Sequence, residues 1–496
     1  MKLRVEHLED PILEFGEGEA TTPKEGLRDS GPFSLRLGAA HQREVRLGLV
    51  GTEASIAATR AFFLLARSGV SSESTNKALF PDFPGFGQAF RSDLVLDERL
   101  NANVDAAELA RVLACPPLAA FEGALGLFAN AISTVASRDF RPHVVVCCLP
   151  DDLLARCRVV DVKLTTEQRN AIKRRKAEAA SGQTSLLELD PDSWLAEEID
   201  AETEQLTRRN FRRALKAASM ASNIPIQIAT EHLWNDERRN QDAATRAWNV
   251  SVALFYKAGG IPWRMRARVD GSCFVGISFH HRRTTQRHFV YSSLAQAFSS
   301  EGDGFAIRGD AVPWNDERVQ PRLSEEQAHY LLSKVLDAYR DRAGRDPLRV
   351  VVHKTSNFTL DENSGIAQAL RSVPVIDLLT LRPSEFRMLR DGTYPPHRGT
   401  YCSVNEDAFL FTSGYMPAYR TYPGPHVPAP IELVAGVGVD TEAAANDVLA
   451  LTKMNWNSAS AFMGLPITLN FAQKVGAVMG EIPSDVEPHP SLRFYM

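Results

Sequence analysis

The hydrophobic and polar positions follow one pattern up to about residue 260 and another beyond it. Residues 45–50 (VRLGLV) and 143–149 (HVVVCCL, with Pro142 and Pro150 at its ends) are short, apolar and β-branched, which predicts buried strands. Between and after them, residues 53–68, 105–113 and 117–135 repeat apolar positions at helical spacing. The spacing predicts a charged helix at 165–180 and a basic amphipathic helix at 206–221 that stops at Asn223 and Pro225. A strand at 226–229 follows, then a helix at 241–257 closed by Gly259-Gly260. Strands alternating with helices build a layered α/β structure. The second half opens instead with three consecutive strands, at 273–279, 288–298 and 304–308. A helix at 323–343 and a strand at 348–353 come next, then strands near 373–380, 400–412 and 431–436 and helices near 441–453 and 468–480. Three antiparallel strands, a helix, a strand and further helices is the element order of an RNase H-like domain. Residues 1–43, rich in Gly, Pro and charge, predict an extended arm, and residues 76–90 a Pro/Gly/Phe-rich connection.

Composition changes this picture little, whereas charge changes it a good deal. With 44% hydrophobic and 24% charged residues, the chain is neither disordered, collagen-like nor a disulfide scaffold. No stretch reads as a bilayer span or a signal peptide, and six cysteines without a CxxC fit reduced thiols in a cytoplasm. The 496 residues carry a net charge of −5, which at face value argues against nucleic acid. Residues 206–291, however, hold fifteen Lys or Arg against five Asp or Glu, a local charge of +10 inside a remainder of −15. Phosphate recognition responds to the local field rather than to the average. Upstream, Lys173-Arg174-Arg175-Lys176 reads as a solvated helix face, and residues 188–204 are strongly acidic.

Most common catalytic motifs are missing. No GxxxxGK[ST], GxGxxG after a strand, GxSxG or HExxH occurs. His280, His281 and His288 sit among Arg282, Arg283 and Arg287, a setting that repels a cation. The informative group lies elsewhere. Arg208, Arg212 and Lys216 are spaced i, i+4, i+8 along the basic helix, with Phe211 and Leu215 as an apolar stripe beside them. Gln227 interrupts the otherwise apolar strand Ile224-Pro225-Ile226-Gln227-Ile228, where a buried amide needs a hydrogen-bond partner. Lys257 closes the next helix. Cations and an amide converging at the ends of neighbouring elements suit a terminal phosphate monoester.

Arg212-x-x-x-Lys216, then Ile-Pro-Ile-Gln227, then Tyr256-Lys257-Ala-Gly-Gly-Ile-Pro-Trp263 resembles the guide 5′-phosphate pocket in the MID domain of Argonaute proteins. Residues 273–279 (CFVGISF) resemble the first PIWI strand, His353-Lys-Thr-Ser356 the strand end that usually reads RDG, and residues 465–473 (LPITLNFAQ) the segment with the last catalytic residue. The resemblance implies a Rossmann-like MID domain at 44–257 and an RNase H-like PIWI domain at 258–496, the arrangement of short prokaryotic Argonautes. It implies that Arg212, Lys216, Gln227 and Lys257 hold the phosphate, with Arg212 against the first nucleotide. It also implies a Mg²⁺ ion between that phosphate, Gln227 and the C-terminal carboxylate of Met496. The three acid positions of the PIWI nuclease are neutral here, at Ser278, Thr355 and Gln473, and neutral groups do not hold two hard cations. Asp303, Asp310, Asp361 and Glu362 are the substitute ligands a nuclease would need.

The expectation is therefore a catalytically inactive, guide-RNA-directed binder of complementary, single-stranded DNA. Its partner is expected to be a separately encoded APAZ-containing effector with a TIR, sirtuin-like or nuclease domain, joined as a cytoplasmic heterodimer in anti-plasmid and anti-phage defence. The alternatives are a stand-alone guided nuclease with other metal ligands, or an α/β enzyme for a small phosphorylated metabolite.

Overall fold

A computed structural model describes residues 3–161, 208–235, 241–266, 268–282, 290–299, 304–313, 322–391, 395–405, 407–422, 427–482 and 486–496. The helix expected at 165–180 with its Lys173–Lys176 tetrad, the acidic run 188–204, Arg238, Arg239, Arg283, Arg287, His288 and Asp303 lie outside them. So do the side chains of His280, His281, Arg282 and Asp310.

The N-terminal α/β lobe is built on a parallel sheet. Strand β1 (Leu3–His7) belongs to the other lobe; β2 (Glu44–Gly51), β3 (Asp93–Val95), β4 (Val144–Cys148) and β5 (Ile226–Ala229) run in the spatial order β5-β4-β2-β3. The apolar runs become central strands because both faces are covered. Helix α1 (Glu53–Ser68) contributes Phe62 and Phe63 to one side, and α2 (Pro117–Ala136) contributes Phe121, Phe128 and Ile132 to the other. Contrary to the expectation from sequence, α2 is long and apolar enough to cross a membrane by length and composition. Here its apolar stripe Ala120, Phe121, Ala124, Phe128, Ile132 and Val135 packs on the sheet. Two more helices complete the lobe, α3 (Phe211–Ser219) beside α2 and α4 (Ala243–Lys257), whose residues 244–257 are nearly all buried.

The C-terminal lobe is a nine-stranded sheet. Strands β6 (Ser272–Arg282), β7 (Val290–Ser299) and β8 (Gly304–Pro313) form the antiparallel meander, and β9 (Arg349–Lys354) returns parallel to β6. Helix α5 (Glu325–Ala343) makes that crossover. The sheet continues through β10 (Val375–Pro383), β11 (Thr400–Val404), β12 (Asp407–Leu410) and β13 (Ile431–Ala435), in the order β1-β11-β12-β13-β10-β9-β6-β7-β8. Helix α6 (Leu360–Ala369) packs with α5 on one face. Helices α7 (Thr441–Leu451) and α8 (Ile467–Met479) cover the other. The RNase H-like order read from the sequence is thus present.

The segment read as an arm is built in more firmly than its composition suggested. Strand β1 pairs antiparallel with β11, and a ribbon of Leu13–Glu14, Glu19–Ala20 and Arg264–Met265 follows. Asp10 explains the anchoring. Its carboxylate accepts from Nε of Arg398 (2.9 Å) and Nζ of Lys453 (2.6 Å), two side chains that are almost fully buried. Lys453 also donates to the backbone oxygens of Pro11 and Thr21, both at 2.8 Å. Desolvation lowers the Lys453 ammonium to about 8, against the opposing pull of Asp10. Asp10→Ala leaves two buried cations without their shared counter-charge, so we expect a loss of about 3–5 kcal/mol in urea unfolding.

Candidate phosphate-binding site

Helix α3 is set by the residue before it. Asn210 accepts from the backbone N–H groups of Arg212 (3.1 Å) and Arg213 (3.3 Å), a cap that starts the helix at Phe211. The predicted helix start at 206 is therefore corrected: residues 208–210 form a strand against 159–161, and Arg208 stands off the helical stripe. Phe211, Ala214 and Leu215 face the core with α2, leaving Arg212 exposed and Lys216 turned, half-buried, toward the other lobe. The cap is fixed from the other lobe. Glu481, just past α8, accepts from Nε of Arg209 (3.0 Å) and from the backbone N–H of Asn210 (3.2 Å).

Three of the four expected residues meet at this junction. Nζ of Lys257, at the last turn of α4, donates to Oε1 of Gln227 at 2.5 Å, and Nε2 of Gln227 donates to the Ile228 carbonyl at 3.2 Å. Nζ of Lys216 donates to the backbone oxygen of Tyr495 at 3.1 Å. Among the described residues no carboxylate pairs with Lys216, Lys257 or Arg212. Burial holds Lys257 well below the usual lysine range, and the charge of Lys216 adds to that. Lys216 is lowered to about 8, first by desolvation and then by Lys474, Arg212 and Arg213. Each ammonium is held where its charge is costly, an arrangement that an arriving anion relieves.

Arg212 stands apart from this pair, on the rim of a cavity of about 460 Å³ whose lining includes Asp151, Leu154, Arg158 and His232. Desolvation, and then Arg158, lowers the Arg212 guanidinium. Lys474, exposed on α8, adds a cation to the Lys216 side of the site from the other lobe. The sequence reading missed Lys474, Glu481 and the Tyr495 carbonyl. Lys474 directly follows the recognised Gln473, but nothing local shows that it turns toward α3.

The tail that supplies Tyr495 is seated firmly. Leu492, Phe494, Tyr495 and Met496 are buried, and the Tyr495 hydroxyl donates to the His489 carbonyl at 2.7 Å. The Arg493 guanidinium lies 5.4 Å from the Tyr256 ring centroid. Of the expected Mg²⁺ set, Gln227 with the Met496 carboxylate, the amide is already engaged. The Gln227 oxygen already accepts from Lys257, and among the described residues no group of three or more His, Cys, Asp or Glu comes together.

The second expected site is the nuclease-like one. Gly276 on β6 is paired with His353 on β9, the last pair of that ladder, and Ser278 and Thr355 each follow two residues further on. Helix α8 crosses at this point, so closely that a Cβ at Gly276 would overlap the Thr468 backbone oxygen. Nδ1 of His353 is 2.8 Å from Oγ1 of Thr468, and burial lowers this imidazole to about 3, so it is neutral. Gln473 lies in α8, its side chain outside the described residues. Of the substitute acids, Asp361 is exposed in the first turn of α6. Glu362 is buried and committed: it pairs with Lys354 and accepts from the backbone N–H groups of Leu323 (3.1 Å) and Thr359 (2.9 Å).

No family model matches the chain. The Argonaute protein of Thermus thermophilus is 26% identical over 278 residues, 55% of this chain and 37% of that protein. Clostridium butyricum Argonaute, solved with a guide DNA and a 19-mer target DNA, superposes over 100% of this chain and 55% of its own. That match has a TM-score of 0.64 at 14% identity. A. aeolicus Argonaute covers 97% of this chain and 54% of its own, with a TM-score of 0.52 at 15% identity. The chain thus spans between about a third and just over half the length of these relatives. In sequence over half its length, and in fold over all of it, the chain is Argonaute-like.

Proposed function

We propose that this protein binds the 5′-phosphorylated end of a short guide strand and presents the guide's bases for pairing with a complementary target. The observation that carries this reading is the meeting of Lys216, Lys257 and Gln227 at the junction of the two lobes, with no carboxylate among the described residues to neutralise the cations. A phosphate monoester carries a charge of about −1.5 to −2 at pH 7, which two ammonium groups balance. On this reading Arg212 and its cavity would receive the first nucleotide's base. Base pairing would then supply sequence specificity while the protein holds the backbone and the end. The C. butyricum protein holds guide and target DNA in the matching fold; here we take the guide to be RNA and the target single-stranded DNA, following the short-Argonaute resemblance.

The reading also holds that the C-terminal lobe does not cut. Ser278, Thr355 and Gln473 offer neutral oxygens where two hard divalent ions need carboxylates, and Glu362 is tied to Lys354 and two helix ends. The output would come from an APAZ-containing effector bound as a heterodimer in the cytoplasm, in defence against plasmids and phages.

Three measurements test this. Lys216→Ala with Gln227→Ala should lower retention of a 5′-phosphorylated oligonucleotide by more than about tenfold and leave the 5′-hydroxyl form unaffected; unchanged retention refutes the pocket. Lys216 is charged below about 8, so its share of the preference for the phosphorylated end should be present at pH 7. It should then fall by roughly an order of magnitude as pH rises through about 8 toward about 9.5. Guide-loaded protein incubated with a complementary strand and Mn²⁺ should leave it intact, and a cut at one fixed phosphate would refute the inactive lobe.

A further inference from the structure

Several of the oxygens described at this junction are already engaged. Oε1 of Gln227 accepts from Lys257, the backbone oxygen of Tyr495 accepts from Lys216, and the nearby acid Glu481 is held by Arg209 and the Asn210 N–H. Mg²⁺ asks for six oxygens in near-octahedral order and usually takes one or two of them from carboxylates. Here it would enter a site holding two ammonium groups, with the charge of Lys474 acting on the same side. Among the described residues, the divalent cation implied by the Argonaute resemblance would be left with the Met496 carboxylate as its carboxylate donor, in a field set by two lysines.

We infer that the pocket binds a terminal phosphate monoester with its own cations alone, Lys216 and Lys257 standing where the resembling proteins place a divalent ion. The inference rests on the guide-binding reading and adds to it a statement about this chain's residues. The geometry gives each component a task. Lys257, almost fully buried, is aligned by Gln227, and an arriving phosphate favours its charged form. Lys216, half-buried and lightly held by a neutral carbonyl, is able to turn toward an arriving oxygen. Both donate to neutral oxygens, so a phosphate that displaces those contacts breaks no ion pair. Lys474 ties the same charge cluster to the second lobe, so the bound phosphate would bridge the two lobes electrostatically as well as sterically.

The test is the ratio of affinities for a 5′-phosphorylated and a 5′-hydroxyl oligonucleotide of the same sequence, measured with the full chain at constant ionic strength. It is taken once in excess EDTA and once in Mg²⁺. Using the ratio cancels the general effect of divalent ions on the nucleic acid backbone. The inference expects a preference for the phosphorylated end that agrees between the two conditions within about twofold, and that Lys257→Met abolishes in both. A preference present in Mg²⁺ and lost by about tenfold or more in EDTA overturns the metal-free pocket while leaving the guide-binding reading intact. No preference in either condition overturns both. Lys257→Met is read beside its thermal melt: replacing a buried ammonium with an apolar side chain of similar length keeps the fold, so lost preference in a folded variant reports the pocket.

Discussion

Two desolvated lysines that pair with no carboxylate among the described residues are the costly element of this structure, and much of the junction between the lobes serves to hold them. A buried charge normally either finds an opposite charge or gives up its proton. Lys257 and Lys216 find an amide oxygen and a peptide carbonyl. Neighbouring groups that do form ion pairs are kept separate: Glu481 goes to Arg209, so this acid fixes the cap of α3 rather than pairing with Lys216 or Lys257. The contacts around the two lysines thus confine the uncompensated charge to one place.

That arrangement requires both lobes. The cap residue Asn210 belongs to the first lobe, but Glu481 and Tyr495, which fix the start of α3 and the end of Lys216, belong to the second. Helix α8 sets the position of both Lys474 and Glu481. Its own placement depends on Gly276, where the sheet lets the helix backbone come into contact with no side chain between. The same close approach brings Thr468 onto His353 beside Ser278 and Thr355. One helix therefore relates the Lys216–Lys257 junction to the nuclease-like site, and a shift of α8 acts on both.

How much of this was legible beforehand follows from which interactions are local. Strands β2, β4 and β5 and helices α1 and α4 could be read to within a residue or two, because their apolar runs and stop signals lie inside the elements themselves. Lys216, Gln227 and Lys257 could be read as a group from their motif. Helix α6 was missed, although Thr359 and Glu362 form a capping box, because its apolar repeat is weak. The strand expected over 400–412 is a hairpin, turned at Asn405 with φ of 56°, a tolerance that Asn has and most residues lack. Strand β1 was invisible because its partner lies some four hundred residues away, and Asp10 reads as an ordinary surface acid until Arg398 and Lys453 are seen to close on it. The contribution of Lys474 was hidden for the same reason.

The buried acid Glu362 shows why losing nuclease ligands need not loosen the fold. In a two-metal site the carboxylates repel one another until cations arrive, so an active lobe depends on its ions for part of its order. Here Lys354 supplies a covalently attached cation to Glu362, which also caps α6 and receives the Leu323 N–H ahead of α5. The Lys354 side chain lies on the face of the sheet opposite His353 and α8, where it also approaches the rings of Phe279 and Phe358. Order behind the sheet thus rests on an internal ion pair, and the face carrying Ser278 and Thr355 has no carboxylate cluster to neutralise among the described residues. Both features follow one rule in this protein: lysine ammonium groups serve where a resembling nuclease would rely on metal, once to hold the fold and once, in the proposed reading, to hold the guide.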